Sequence, residues 1–256
     1  MFTQALVRAP SSNFAAGLTR ENLGVPDHAL ALRQHAAYCD ALRRCGLDVH
    51  ELPPDPRHPD ATFVEDTAVL LPRCAVLTRP GAPSRAGEVE AVGQALRAQG
   101  LVLQQIEAPG TLDGGDICEA GEHVFIGLSA RTNAAGAEQL ARCLAAAGYA
   151  SSLVDVSDIS SILHLKSGLS WLGDGRLLLI EALAGHPAFA GYDRIVVDSD
   201  EAYAANAVRV NAHVLVAAGY ARTTARLREA GYAPLELDMS EFRKMDGGLS
   251  CLSLRY

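Results

Sequence analysis

Between Asp27 and Cys45 the apolar residues Ala37, Tyr38, Ala41, Leu42 and Cys45 fall on one side of a 3.6-residue period, with Asp27 placed to cap a helix and Gly46 to end it. Similar patterning predicts a second helix from Ser84 to about Gly100. A third runs from Asn133 to about Gly148, with Ala137, Leu140, Ala141 and Leu144 on one side. A fourth helical region falls between Pro187 and Ala205, and a fifth spans Arg222 to Gly231. Each helix leads into an extended segment: Leu47–Leu52, Leu101–Ile106, Ser151–Val156, Arg194–Val197 and Leu235–Met239. Between these lie strand pairs joined by turn residues, namely Val64–Leu71 with Cys74–Arg79, Asp116–Glu119 with His123–Leu128, Leu169–Leu172 with Arg176–Ile180, and Val208–Val210 with Val214–Ala217. Strand, strand, helix, strand therefore recurs about five times, roughly 50 residues per unit, as a repeat of element order without repeated sequence. Plain alternation would give a doubly wound sheet, but the paired strands before each helix oppose it and no G-x-G-x-x-G is present. With no linker or charge run dividing the chain, residues 1–256 read as one α/β domain.

Composition narrows the function classes. The chain has 256 residues, 49% of them apolar and 20% charged, enough to build a substantial core. Lys and Arg number 22 against 30 Asp and Glu, a net charge of −8. A chain this acidic and without basic runs is a poor general binder of nucleic acid, whereas it suits cationic small molecules. No apolar run is long enough for a membrane helix, and the first residues lack the apolar stretch of a secretory signal. The six cysteines contain no C-x-x-C pair and read as reduced thiols of a cytoplasmic protein.

P-loop, G-x-S-x-G and H-E-x-x-H signatures are absent. What remains is polar residues in segments that ought to be apolar or turn-like. Pro59 to Asp66 opens a predicted strand with three carboxylates, Asp60, Glu65 and Asp66. Period-two alternation puts Glu65 and Asp66 on opposite faces, so at least one points to an enclosed side. Leu112-Asp113-Gly114-Gly115-Asp116 is a tight turn with two more acids, which alone is as readily a turn bonding its own backbone. His164 lies in an apolar stretch read as strand, and by itself is more often a satisfied core residue. Cys251, in a strand with Leu249 and Ser253 on the same face, follows Gly247-Gly248, whose missing side chains leave space around it. Together they are a candidate nucleophile–base pair of the cysteine type. Arg85 and Arg131 each precede a helix, where a guanidinium fork can take a carboxylate. Acids suit a guanidinium and arginines suit a carboxylate, so the ligand that satisfies both is an arginine-like amino acid.

At these residues the chain resembles the dimethylarginine dimethylaminohydrolases, members of the guanidino-group-modifying superfamily. The matching stretches are Gly17-Leu18-Thr19, Pro59 to Asp66, Thr78 to Ala82 with Ser84-Arg85, Thr111 to Asp116, Ser129 to Asn133, His164 to Gly168 and Asp246 to Cys251, spread over essentially the whole chain. The resemblance implies a five-bladed α/β propeller and hydrolysis of Nω-methylated arginines to citrulline. It implies Cys251 as nucleophile, His164 as general acid and base, and Asp66 and Asp113 against the guanidinium. Arg85 and Arg131 would hold the α-carboxylate. Asp60 and the Leu18 carbonyl would take the α-amine, with Phe63 and Glu65 shaping the pocket. Some relatives carry Glu at the position of Asp113, one methylene longer. The implied chemistry needs no metal and no organic cofactor, and the family's precedent is a homodimer.

Two alternatives separate on the same residues. A deiminase of free arginine would use the same scaffold, but superfamily deiminases of that kind carry a helical insertion for which this chain has no room. Agmatine would leave Arg85 and Arg131 without a role, and superfamily amidinotransferases are longer. A non-catalytic propeller of the ribosome anti-association type would lack the cysteine and histidine that this chain keeps.

Overall fold

Asp27 accepts the Leu30 N–H, so the predicted cap starts its helix as read, and Asn133, where the third helix was expected to begin, accepts the Gly136 N–H. In the computed structural model, which describes residues 1–256, the chain opens with β1 (Gln4–Arg8), α1 (His28–Arg44) and β2 (Asp48–Leu52). The next module is β3 (Ala68–Leu71), β4 (Cys74–Leu77), α2 (Glu88–Ala98) and β5 (Gln104–Gln105). Then come β6 (Ile117–Ala120), β7 (His123–Leu128), α3 (Ala134–Ala146) and β8 (Ala150–Asp155). The fourth module is β9 (Leu169–Gly173), β10 (Arg176–Leu179), a single turn α4 (Glu181–Ala184) and β11 (Asp193–Val196). The last is β12 (Val208–Val210), β13 (His213–Ala217), α5 (Ala221–Glu229) and β14 (Ala233–Leu237), after which α6 (Ser240–Arg243) and β15 (Ser253–Arg255) close the chain.

These strands make five three-stranded sheets: β15-β1-β2, β3-β4-β5, β6-β7-β8, β9-β10-β11 and β12-β13-β14. In each, the middle strand runs antiparallel to the first and parallel to the third. The crossover to the parallel strand is the helix of that module, as a parallel pair requires. The first strands of all five sheets meet around one axis, where Val69, Glu119, Trp171, Arg209 and Leu254 line a shared cavity of about 380 Å³. This is the five-bladed α/β propeller. One sheet is completed by the two ends of the chain, with Ala5 opposite Arg255 and Val7 opposite Ser253.

The apolar faces of the blades meet their helices and neighbours in separate clusters. The largest contains Phe125, Leu177, Leu178, Leu179, Phe189 and Leu227, and a second joins Phe14, Tyr38, Leu42, Phe63 and Phe242. Burial of each such side chain stabilises by about 1.5–3 kcal/mol.

The sequence reading departs from this in four places. β1 was not anticipated. β5 is only two residues long where Leu101–Ile106 was expected. The fourth helix lies at Glu181–Ala184, before the expected region, which instead holds a 3₁₀ turn at Pro187–Phe189, β11, and a longer 3₁₀ segment at Ser199–Ala205. Most consequentially, Val64–Thr67, Leu165–Ser167 and Ser250–Leu252 are 3₁₀ turns and not strand.

Gly136 shows how tightly a helix is seated. A Cβ there would lie 2.0 Å from the Thr111 carbonyl oxygen. In an open helix Gly→Ala stabilises by about 0.5–1 kcal/mol. Here the clash reverses the sign: urea unfolding of Gly136→Ala should show a loss of about 1–3 kcal/mol. A gain would mean that α3 does not pack against Thr111 as described.

Candidate active site

Every blade enters its axial strand through a short 3₁₀ segment: Val64–Thr67 before β3, Gly114–Asp116 before β6, Leu165–Ser167 before β9, Ser199–Ala205 before β12 and Ser250–Leu252 before β15. Such a turn swings its side chains off the strand direction, toward the axis. Glu65 and Asp66 lie in the first. Asp113 precedes the second and Asp116 ends it, His164 caps the third, Asn206 follows the fourth, and Cys251 lies in the fifth.

Glycines let these turns touch. A Cβ on Gly114 would sit 2.1 Å from the Glu65 carbonyl oxygen, and one on Gly115 would sit 2.8 Å from both Asp66 Oδ1 and His164 Nδ1. The Gly115 N–H instead donates to Asp66 Oδ1 at 2.9 Å. Asp116 fastens three segments, accepting from Ser129 Oγ (2.7 Å), Thr132 Oγ1 (2.6 Å) and the Leu165 N–H (3.0 Å). Those bonds hold the backbone that follows His164.

At the centre, Asp113 is fully buried. Its Oδ2 lies 3.0 Å from His164 Nε2, and its Oδ1 accepts the Gly81 N–H at 2.8 Å. Asp66 Oδ2 pairs with Arg85 Nη1 at 2.5 Å. Burial alone would neutralise His164, but Asp66, Asp116 and Asp113 outweigh it and push its pKa up to about 9. The imidazole is therefore a cation at neutral pH. The same logic runs the other way for Asp66, where burial is overcome by His164 and Arg85, holding it near 2. Burial, with Glu65 and Asp66 nearby, pushes the Cys251 thiol up to about 12, although the Gly248 N–H donates to its sulfur at 3.4 Å. The resting pair is thus imidazolium and thiol. Asp66, Asp113 and His164 bring three ligand atoms within 4.8 Å of one another, a geometry open to a metal ion once the imidazole gives up its proton.

The remaining predicted residues divide. Asp60 is buried, and both its oxygens accept the Leu18 N–H, at 3.0 and 3.2 Å; Leu18 itself is exposed. Arg131 is partly accessible, with Nη1 4.0 Å from Asp113. Arg85 is buried, donating to Glu88 through Nε and Nη2, to Asp66 through Nη1 and to the Phe63 carbonyl through Nη2, which leaves one Nη1 hydrogen without a protein acceptor. The Phe63 ring packs with Phe14 and Phe242. Glu65 and Asp66 point apart as alternation anticipated, although through a 3₁₀ turn. Glu65 takes Lys166 Nζ at 2.6 Å and Ser250 Oγ at 2.7 Å. His164 and Cys251, both read as strand residues, are corrected to turn positions, and Leu249, Cys251 and Ser253 do not form one strand face. Sequence reasoning missed Lys166, Ser250, Asn206 and Glu88, polar residues whose roles are bonds to other turns and which carry no local motif.

The family described as N,N dimethylarginine dimethylhydrolase, eukaryotic, matches residues 10–173. The N(G),N(G)-dimethylarginine dimethylaminohydrolase of Pseudomonas aeruginosa is 44% identical over 257 residues, covering 100% of both chains. The chain belongs to the dimethylarginine dimethylaminohydrolase family. A family member from Streptomyces coelicolor is 36% identical over 98% of this chain and 96% of its own. Among solved structures, a Cys→Ser variant of the Pseudomonas family member complexed with citrulline superposes with a TM-score of 0.96 at 44% identity, covering 100% of both chains. A dimethylarginine dimethylaminohydrolase His→Gly variant, solved as an adduct with S-methyl-L-thiocitrulline, gives the same TM-score, identity and coverage. The N-terminal domain of the arginine dihydrolase ArgZ shares the fold, with a TM-score of 0.89 at 21% identity, over 100% of this chain and 97% of that domain.

Because burial, with Glu65 and Asp66 nearby, holds the thiol of Cys251 high, its reaction with neutral iodoacetamide should keep accelerating as pH rises from 7 to beyond 10. A rate that levels off below pH 8 would show a thiolate already formed in the free protein.

Proposed function

We propose that this chain hydrolyses Nω-methylated L-arginines, such as asymmetric dimethylarginine and monomethylarginine, to L-citrulline and dimethylamine or methylamine, acting as one catalytic domain over residues 1–256. The observation that carries the reading is the buried Asp66–Asp113–His164 group, with the charge of Asp66 acting on the thiol of Cys251; it is supported by full-length relatives of the same fold solved with citrulline or as a thiocitrulline adduct.

In this reading Asp66 and Asp113 orient the guanidinium, Arg131 and the free hydrogen of Arg85 take the α-carboxylate, and Asp60 with the Leu18 carbonyl takes the α-amine. Phe63 supports the pocket from beneath, and Glu65 acts through the turns it ties. A bound guanidinium offsets the charge of Asp66 and Glu65, so the thiol of Cys251 loses its proton to solvent as substrate enters. The sulfur attacks the central guanidinium carbon. The imidazolium of His164 gives its proton to the methylated nitrogen, the C–N bond breaks, and the amine departs, leaving an S-alkylthiouronium on Cys251. Neutral His164 then takes a proton from water as its oxygen bonds to the same carbon. Collapse breaks the C–S bond, the hydroxyl proton returns to sulfur, and citrulline is released. Acid–base help of this kind is worth about 10²–10⁴ in rate, and fixed orientation of the guanidinium adds to it.

No helix is long and apolar enough to cross a membrane. Six unpaired thiols support a cytoplasmic site of action.

Citrulline release from asymmetric dimethylarginine should exceed that from plain arginine. In the same assay Arg131→Ala should raise KM about 10–100-fold, the loss of charge-assisted hydrogen bonds worth about 1.5–3 kcal/mol, with a smaller change in kcat. Arginine turned over equally well would overturn the substrate assignment, and a pure kcat loss would remove Arg131 from the carboxylate.

A further inference from the structure

Four of the five axial turns contribute an acid, an imidazole or a thiol to the site. The Ser199–Ala205 turn does not, since its acids are engaged outward: Asp200 with Arg222, and Glu201 with Thr223. Yet this turn touches the nucleophile loop at successive points. Tyr203 donates its hydroxyl proton to the Gly247 carbonyl at 2.7 Å. Asn206, buried at its end, accepts the Ser250 N–H on Oδ1 at 2.9 Å, and its Nδ2 donates to Ser250 Oγ at 3.0 Å and to the Lys166 carbonyl at 2.8 Å. Reversing the amide would set two donors against each other at Ser250, so the network fixes its orientation. Gly248 makes room for it, because a Cβ there would lie 2.5 Å from Asn206 Oδ1. That same Gly248 donates its N–H to the sulfur of Cys251.

Asn206 is thus the one side chain bonded to the backbone of both the turn after His164 and the turn of Cys251. Glu65 also spans the two turns, but through the side chains of Lys166 and Ser250. We propose that Asn206 is a positioning residue for the hydrolytic reaction, setting the separation and aim of the Cys251 sulfur relative to the His164 imidazole while touching neither the reacting atoms nor the substrate. The inference rests on the proposed roles of Cys251 and His164. Misplacement of a reacting group by about 1 Å can cost on the order of 10²-fold in rate, and the carboxylate and amine subsites lie on other turns. The effect therefore falls on kcat rather than KM.

Asn206→Asp supplies a readout that a merely structural role would not move. The new carboxyl would face the Lys166 carbonyl and Ser250 Oγ with an oxygen where the amide donated. Around it stand Lys166, whose carbonyl it faces, and Glu65 and Arg255, which bond Ser250, and Tyr203, Arg20, Glu21, Arg243 and Asp246 line the same cavity. Ionised, it repels the two acceptors; protonated, it restores one donor.

The test compares wild type, Asn206→Ala and Asn206→Asp by steady-state kinetics with asymmetric dimethylarginine from pH 6 to 8.5. In parallel, labelling of Cys251 by chloroacetamidine, a cationic electrophile, is followed by peptide mass spectrometry. The expected result is a kcat about 10²-fold lower in Asn206→Ala, with KM within threefold of wild type and slower labelling. For Asn206→Asp, the ratio of its kcat to that of wild type should rise as pH falls. Should Asn206→Ala fail to fold, Ser250→Ala, which removes one of the three bonds, should show a smaller kcat loss in the same direction. Variants that label and turn over at the wild-type rate, or a ratio that stays flat with pH, would overturn the role of Asn206 alone. A wild type that turns over but takes no label on Cys251 would overturn the nucleophile assignment and this inference with it.

Discussion

A protonated imidazole buried beside three aspartates is the interaction on which the rest of the structure turns. Left alone, burial would drive His164 to its neutral form, and it could not act as an acid toward a departing amine. Asp113 at 3.0 Å, with Asp66 and Asp116 around it, holds the proton in place. Those carboxylates are costly to bury and are there only because each has partners: Arg85 and the Gly115 N–H for Asp66, Gly81 for Asp113, and two hydroxyls and the Leu165 N–H for Asp116. The propeller is the device that brings these partners together, since they come from segments spread between Gly81 and Leu165.

The same field keeps the nucleophile quiet. Cys251 sits near Glu65 and Asp66, and its thiol is held far above an ordinary cysteine. A thiol stored in that way resists oxidation and stray alkylation, because the thiolate is the reactive form. A cationic ligand entering the anionic cavity removes the obstacle. In the proposed reading, the acids that favour a guanidinium ligand are then also the ones whose neutralisation helps the sulfur to ionise.

The helices and the strand pairs were legible in the sequence because their signals are local. Asp27 caps as read, the third helix starts at Asn133 as expected, and the turns Pro72-Arg73 and Gly173-Asp174-Gly175 join antiparallel strands. Of the chemistry-bearing turns, Leu112 to Asp116 was legible from its Gly-Gly pair, while those at Val64–Thr67, Leu165–Ser167 and Ser250–Leu252 read as strand. Segments of three or four residues, such as Leu165–Ser167 and Ser250–Leu252, hold about one turn, too little to show a helical period, and their apolar residues imitate strand. β1 escaped because its partner β15 lies at the other end of the chain, and β5 is shorter than the expected Leu101–Ile106 because only Gln104 and Gln105 pair with β4. Site residues with unusual chemistry in apolar surroundings stood out: Asp66, Asp113, His164 and Cys251. Residues whose work is to bond other turns did not, since Asn206, Ser250 and Lys166 are unremarkable until the turns they tie are seen side by side.

The account stands on one convergence, of sulfur and imidazolium around a single guanidinium carbon. Its most direct test is rapid acid quenching during turnover of asymmetric dimethylarginine, followed by mass analysis of the peptide carrying Cys251. The account predicts a transient adduct equal to substrate less dimethylamine on that cysteine, accumulating when His164 is replaced by a residue unable to activate water. Citrulline formed with no adduct at Cys251 at any time, or with the adduct on another side chain, would contradict it.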